Sequence, residues 1–343
     1  MKTLILPFLF LMTLFVSCTN DSLDSESLEK KVNSYDVYVA GMENYKACYW
    51  KNNVKTALFS PDSTTATKII VENNNTHVLG NTRMNFNRTY YYWKNNVRQN
   101  LAQYLGIPSV VQYQILDMAI DNGDDYFVGY YDTSSPIANQ RYALCIWKNG
   151  VRTILNRYDN IIYSSSKLNI FNHQPYVSAI VNDGGINSGY YINTTFHPVP
   201  GISWVSNFSE NTNGINFLYI KNQKYYYRQL STNTEVLVDN TVIPNLNEGK
   251  IVSEATSTDL YVIGHTFTDN YYYKNNVQTT FPLDPTYTSI KDMFVLDNNM
   301  YVVKQQTVPY ASKVYINNVE TQSITNSSGQ FVNAYNSIFA VEN

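Results

Sequence analysis

Four histidines, three cysteines and a few strand-borne carboxylates are the side chains of this 343-residue chain that could do chemistry. His77, His173, His197 and His265 are too scattered to build a metal or nucleophile site by local spacing. The chain holds no HExxH, CxxC or GxSxG either. No cofactor and no metal is therefore expected. Glycan cleavage would need two carboxyl groups roughly 5–10 Å apart. Glu72, Asp117, Glu254 and Asp292 lie in or beside apolar, strand-like stretches of four different parts of the chain, so only the fold could converge them. Asp117 and Asp292 share similar contexts, which suits the polar lining of a channel equally well. The run DNGDD (121–125) has calcium-loop character, but it lacks the downstream glutamate of an EF-hand, and its Asn-Gly pair is a turn former. The turn is the preferred reading.

The elements that must position these groups follow from the composition. Tyrosine reaches 31 residues while charged residues make up only 15%. Tyr, Phe, Val, Ile and Thr favour strands, and Asn-Asn or Asn-Gly pairs favour turns, so the chain reads as all-β. Its net charge is −3, with no Lys/Arg block. Without that electrostatic attraction, a nucleic-acid partner is not expected.

One phrase recurs along the chain: KACYWKNNVKTALF, RTYYYWKNNVRQNL, LCIWKNGVRTIL, NYYYKNNVQTTF and KVYINNVETQSI. Asn95-Asn96 reads as a two-residue type I′ turn, whose central residues both need positive φ, and Asn149-Gly150 does the same. An aromatic strand enters each turn and a Val/Leu strand leaves it. Lys51, Lys94, Lys148 and Lys274 sit beside the turns, where their stems can cover aromatic surface. A second phrase precedes most hairpins: DVYVAG at Asp36, DYFVG at Asp125, DLYVIG at Asp259 and NMYVV at Asn299. Weaker copies are placed at Asn75, Gln174, Ile215 and Ser337. Apolar strands such as TKIIVE, YQILDMAI, SIKDMFVL and QFVNAY come before them.

The unit is therefore a four-stranded meander, and Asp36 to Ser337 spans 301 residues in seven intervals of 43. That period matches propeller blades of roughly 40–45 residues. Tyr90-Tyr91-Tyr92-Trp93 is apolar at consecutive positions, as a strand covered on both faces requires. The expectation is a seven-bladed β-propeller of four-stranded blades, closed by pairing of the two chain ends. One terminal copy is left over, and the alternative is eight blades with one incomplete. Cys48 and Cys145 occupy one repeat position in different units, too far apart for a disulfide, and read as free buried thiols. His77 takes the repeat position of Tyr38 and Tyr261 and reads as a packed core residue. His173 and His197 read as loop residues. Asp36, Asp125 and Asp259 share a position before a strand and read as turn caps.

At the N-terminus, Lys2, the thirteen-residue run Leu4–Val16 and Ser17-Cys18 make a signal peptide, since the run is too short to span a bilayer. Its end resembles the lipobox of bacterial lipoproteins, which implies lipidation at Cys18; Phe15 stands where that motif usually has Leu. Residues 18–34 are polar and acidic and read as a flexible tether. The acidic stretch resembles the surface-export signal of Bacteroidota lipoproteins. The tandem DVYVAG and YWKNG units resemble the propeller-like repeats of secreted and lipid-anchored proteins of that group, best around Trp50, Trp93, Trp147 and Tyr273. The units near Tyr191 and Tyr227 depart, losing the Lys-Asn-Asn turn. The resemblance implies fold and compartment and supplies no catalytic residues. The expected organisation is a signal peptide at 1–17, a lipidated Cys and tether at 18–34, and one propeller at 35–343.

Loop lengths give the functional expectation. The first-to-second and third-to-fourth turns are short and stereotyped, whereas the other connections vary, and function concentrates on variable loops held by a rigid scaffold. Those loops carry Tyr45, Arg83, Phe267 and the proposed ligand-binding set Tyr130, Tyr131, Arg141, Tyr142 and Tyr310. Such aromatics suit sugar rings or a protein partner, and packing of the loops themselves accounts for them equally. The reading is a monomeric, surface-exposed outer-membrane lipoprotein, held to the membrane by its lipid. It acts as a non-catalytic binding or adhesion module for glycan or protein. The alternative is a glycan-processing hydrolase or lyase using the channel acids.

Overall fold

The computed structural model describes residues 35–82, 88–109, 111–137, 140–159, 166–182, 186–238, 249–264, 271–281, 286–287, 289–307, 310–326 and 331–343. Cys18, the signal peptide and the tether lie outside these residues, as do Arg83, His265 and Phe267. The chain divides into a terminal unit, residues 1–36 with 341–343, and a large unit, Val37–Ala340, which is the subject below.

Seven four-stranded antiparallel sheets form the blades of a seven-bladed β-propeller. The first blade joins β28 (Ala334–Glu342) to β1 (Tyr35–Glu43), β2 (Lys46–Lys51) and β3 (Val54–Ala57). The second contains β4 (Thr64–Glu72), β5 (Asn75–Thr82), β6 (Tyr90–Lys94) and β7 (Val97–Asn100). In the third are β8 (Tyr113–Asp121), β9 (Asp124–Asp132), β10 (Tyr142–Lys148) and β11 (Val151–Tyr158). The fourth has β12 (Leu168–Phe171), β13 (Gln174–Asn182), β14 (Ile186–Ile192) and β15 (Thr195–Pro198). The fifth runs β16 (Trp204–Asn211), β17 (Gly214–Lys221), β18 (Lys224–Gln229) and β19 (Glu235–Leu237). The sixth is β20 (Lys250–Ser253), β21 (Leu260–Ile263), β22 (Tyr271–Lys274) and β23 (Val277–Thr280). The seventh is β24 (Ser289–Leu296), β25 (Asn299–Thr307), β26 (Tyr310–Ile316) and β27 (Val319–Thr325). Among the described residues a short helix, α1 (Leu101–Tyr104), follows β7, and no helix is long and apolar enough to cross a membrane.

The leftover copy disappears. QFVNAY and SIFAV are not two strands, because β28 runs unbroken from Ala334 to Glu342 and is the inner strand of the first blade. Asn336-Ser337 looks like a turn in the sequence. In the structure both residues work inside a strand, with Asn336 Nδ2 donating to Thr65 Oγ1 and to the Ala66 carbonyl at 2.8 Å each.

The turns have the expected chirality. Asn95 and Asn96 have φ of 48° and 66°, and Asn52-Asn53, Asn275-Asn276 and Asn317-Asn318 repeat the pattern. The first Asn of each turn is also a clamp. Asn95 Oδ1 accepts from Thr76 N at 2.9 Å and its Nδ2 donates to Asn75 Oδ1 at 2.8 Å. Asn149 does the same to Asp125 N and Asp124 Oδ1, Asn275 to Leu260 N and Asp259 Oδ1, and Asn317 to Met300 N and Asn299 Oδ1. The recurrent acid therefore does not cap its own backbone, and in the third blade it is Asp124 rather than Asp125. Asp124 and Asp259 reach across the hairpin to the turn Asn and to the neighbouring Lys148 (2.8 Å) and Lys274 (2.6 Å). The lysine heads also sit over strand-two tyrosines, Lys51 on Tyr38, Lys148 on Tyr126 and Lys274 on Tyr261, at 5.2–5.5 Å.

The core lies between blades, which explains the consecutive apolar residues. Phe127 and Tyr131 pack toward the second blade with Tyr92, Met118 and Trp147. Tyr126, Val128 and Tyr130 pack toward the fourth with Leu168, Val177 and Tyr191. Trp93 Nε1 donates to the Phe59 carbonyl (3.1 Å) and Trp147 Nε1 to the Leu105 carbonyl (3.2 Å), so the repeated Trp ties each of these blades to the connection leading into it. Cys48 and Cys145 are free and buried, and burial pushes both thiols up to about 12.

The glycine of the DVYVAG phrase has a packing cause. A Cβ on Gly80 would stand 2.4 Å from the Thr65 carbonyl oxygen, and one on Gly129 would stand 2.2 Å from that of Gln114. Both glycines face β-bulges of the inner strand, between Ala66 and Lys68 in β4 and between Ile115 and Asp117 in β8. The bulge crowds its neighbour, and only glycine admits the approach.

Candidate functional site: the central channel and the variable-connection face

Inner strands β4, β8, β12, β16, β20, β24 and β28 line a central cavity of about 600 Å³. Bulges in β4, β8, β16 and β24 place Lys68, Asp117, Asn207 and Asp292 just past the irregularity. A bulge re-aims a side chain, and it does so here at matching levels of four inner strands. The two aspartates are bound alike. Asp117 accepts from Lys68 Nζ of the preceding blade (2.6 Å), from Leu168 N of the following blade (3.0 Å) and from Met118 N (2.8 Å). Asp292 accepts from Lys250 Nζ, from Ile338 N (2.9 Å) and from Met293 N (3.0 Å). Each carboxylate thus links three blades.

This arrangement bears on catalysis. A general acid in glycan cleavage needs a carboxyl group kept protonated. Burial pushes the Asp117 carboxyl up, but Lys68, Lys167 and the Leu168 amide outweigh it and hold the carboxyl below the usual carboxylate range. Asp117 is thereby fixed as an anion. The other two acids read from the sequence are elsewhere engaged. Glu72 accepts from the turn amides Asn122 N (2.9 Å) and Gly123 N (2.6 Å), and Glu254 accepts from Thr256 Oγ1 (2.9 Å). The DNGDD segment is the turn between β8 and β9, with φ of 52° at Asn122 and 81° at Gly123. Asp125, pushed up by burial, accepts from Tyr104 Oη at 2.8 Å.

The histidines separate in the same way. His77 is buried in the Tyr position, with Nδ1 2.5 Å from Tyr92 Oη, and burial with Lys94 nearby lowers its pKa to about 4. His173 lies in the turn after β12, 2.9 Å from Asp121. His197, expected in a loop, is in β15 and stacks on Tyr190 at 5.3 Å. Among the described residues no cluster of His, Cys, Asp or Glu could hold a metal ion.

The proposed ligand-binding tyrosines are placed by strand length. Strand β9 continues to Asp132 and β10 restarts at Tyr142, with Tyr130 opposite Leu144 and Tyr131 opposite Ala143. Tyr130, Tyr131 and Tyr142 are consequently buried, and Tyr130 packs edge-on to Tyr158 at 5.9 Å. Tyr131 and Tyr130 pack into the two interfaces of the third blade, and Tyr142 lies under Arg141. Arg141 remains on the connection, its side chain 58% exposed, with its guanidinium over the Tyr142 ring and 3.4 Å from Asp132. Tyr310 opens β26 half-buried against Phe331. Tyr45 occupies a tight turn with φ of 61°. Sequence reasoning missed two exposed apolar residues, Ile137 on the connection after β9 and Phe59, 72% exposed, on the connection after β3. Phe59 is stacked under Arg98 at 5.1 Å, beside a second cavity of about 500 Å³ lined by Tyr91, Arg98, Gln99 and Tyr104. An apolar residue directly before the SPDS turn was the available signal.

No protein-family model matches the chain, and no curated protein does. Solved structures share the fold. Pyrococcus horikoshii acylaminoacyl peptidase is 7% identical at a TM-score of 0.50, over 85% of this chain and 50% of that one. The extracellular domain of BT4673 from B. thetaiotaomicron is 14% identical over 78% of this chain and 37% of that one, at a TM-score of 0.44. A chain of a nidogen/laminin complex is 9% identical over 89% and 98%, also at 0.44. These likenesses concern the fold.

Proposed function

We propose that this chain is a surface-exposed outer-membrane lipoprotein, anchored through Cys18. Its propeller serves as a non-catalytic binding or adhesion module for a glycan or protein. The observation that carries the reading is the division between the two faces of the ring. One face carries two-residue turns clamped alike by Asn52, Asn95, Asn149, Asn275 and Asn317 in five blades, with longer connections at 230–234 and 254–259. On the other, the connections run from two residues, Asn44-Tyr45, to twelve, residues 101–112. A fixed frame with one varied face is the arrangement of a recognition protein. Val37 N donates to Asn52 Oδ1 at 2.8 Å, so β1 begins beside the clamped turns. The ionic engagement of Asp117 supports binding over turnover.

The test is binding of the full-length protein to glycan and surface-protein arrays, with thermal unfolding in parallel. Wild type is compared with an Arg141→Ala, Tyr310→Ala double variant. A ligand lost by the variant without a change in melt is the expected result. Turnover of an arrayed glycan by wild type would overturn the non-catalytic reading. A Cys18→Ala protein that still partitions with membranes would overturn the anchor.

A further inference from the structure

The rim of the second blade departs from the repeat at two adjoining positions. Trp93 Nε1 donates to the Phe59 carbonyl as Trp147 Nε1 does to that of Leu105, so Phe59 and Leu105 hold one position in successive blades. Leu105 is 2% exposed, whereas the larger Phe59 is 72% exposed. Arg98 follows the turn valine of β7, a place taken by Lys55 in the first blade, Arg152 in the third and Glu320 in the seventh. Lys55 is paired with Glu43 and Glu320 with Lys313, while Arg152 lies over Tyr131. Arg98 has no carboxylate partner among the described residues. Its guanidinium lies over two rings, 5.1 Å from the centroid of Phe59 and 5.4 Å from that of Tyr91. The stacking orients the planar group, and no described oxygen accepts from its N–H donors. Gln99, next along β7, supplies a second and independent observation: its Oε1 is buried with no hydrogen-bond partner among the described residues. An orphaned amide oxygen of this kind calls for a donor, and turning the amide toward a ligand breaks no bond of that oxygen. Both side chains line the cavity of about 500 Å³, together with Tyr91, Asn100, Gln103 and Tyr104. That size is within the range of small-ligand sites.

The chemistry of this wall selects the ligand. Arg98 only donates, and the Gln99 oxygen only accepts. A carboxylate or phosphate could take the Arg98 donors but has nothing to give Gln99. It would also meet Asp62, since burial and then the adjacent Asp62 carboxylate push the Tyr91 phenol up. A hydroxyl both accepts and donates, so two neighbouring hydroxyls of one sugar satisfy both groups. The C–H face of a pyranose matches an exposed aromatic ring as well. We propose that the rim of the second blade binds a neutral glycan, with a vicinal diol between Arg98 and Gln99 and a pyranose face on Phe59. The inference rests on the binding-module reading and assigns its ligand class and its place. The place is where one of the varied connections, residues 58–63, meets the edge strand β7.

The experiment is calorimetric titration of the full-length protein with maltotriose, cellotriose and mannotriose, and with trigalacturonate as the acidic counterpart. Saturable binding of at least one neutral trisaccharide is expected, tighter than that of trigalacturonate. Phe59→Ala should weaken it at least tenfold with an unchanged melt, because that ring stands largely outside the fold. Gln99→Leu should weaken it at least tenfold while the melt holds or rises, because the change removes a buried unpaired oxygen. A Gln99 that only fills space would leave affinity untouched. Failure of all three neutral sugars to bind, tighter binding of trigalacturonate than of each of them, or affinity unchanged in either variant would overturn the proposal. An array ligand whose binding survives both Phe59→Ala and Gln99→Leu would overturn this site while leaving the binding-module reading standing.

Discussion

At the outer hairpins, Asn95 and its counterparts bond inside one blade, to a backbone amide and to an Asn or Asp side chain. Around the channel, Asp117 and Asp292 make charged bonds that each reach two neighbouring blades. The hairpin clamp is repeated because the blades that carry it solve the same local problem, the closing of a two-residue turn with positive φ. The channel bonds vary around the ring, since inner-strand side chains meet different neighbours: Asn336 in the first blade, Lys68 in the second, Ser206 in the fifth. Ser206 Oγ donates to the Gly249 carbonyl of the sixth blade at 2.6 Å. The difference teaches that blade formation and ring closure are separately encoded.

The largest effect should come from the ring. Asp117→Asn removes the partner of Lys68 and weakens two backbone contacts, and breaking a buried pair of this kind should cost about 3 kcal/mol. The loss is read as a lower denaturant midpoint. Because the Asp117 carboxyl is held below its ordinary value, its contribution is full above the unfolded carboxylate pKa of about 3.9 and is lost as pH falls through the lower folded value. The acid limb of the variant's stability curve should therefore be shallower than that of wild type. Next comes the bulge that aims Asp117. Gly129→Ala sets a Cβ against the Gln114 carbonyl and should cost about 2–3 kcal/mol. An unchanged midpoint would show that the bulge is not fixed.

The hairpin side gives the smaller pair. Replacing Asn95-Asn96 by Val-Val forces β-branched residues to positive φ and removes the clamp, for a loss of about 1–3 kcal/mol measured by thermal unfolding. If the loss equals that of Asp117→Asn, the distinction between local and ring stabilisation fails. His77 sharpens the contrast at one residue. Its folded pKa of about 4 lies below the unfolded value of about 6.5, so stability is full above the latter and declines as pH falls toward the former. Wild type should lose about 1–2 kcal/mol between pH 7 and 5 from this residue. His77→Tyr, which restores the residue of the other blades, should flatten that slope.

Repetition made the first side legible and the lack of it hid the second. The turns, the four-stranded meander, the free thiols and the role of His77 could be read because several copies of each phrase agree. The seven-blade ring followed from the period, yet the leftover copy arose where Asn336-Ser337 imitates a turn inside β28. The bonds of Asn336 to Thr65 and Ala66 are made across a blade boundary, and no spacing along the chain displays them. Tyr130, Tyr131 and Tyr142 were read as loop residues because the polar segment between them hides where pairing stops. Cross-strand register keeps all three inside. The pairing of Asp117 with Lys68 joins residues 49 apart on different blades, and no spacing along the chain displays it.

Ring closure by β28 also fixes an order in time. Strands β1 to β3 leave the ribosome first, but the inner strand of their blade is encoded by residues 334–342. At roughly 5–20 residues per second, that blade waits on the order of tens of seconds for its fourth member. Throughout the wait β1 is an unpaired edge, rich in apolar residues and free to pair with another chain. The blade begun first is the one completed last, and a chain cut short by ten residues would keep that edge bare.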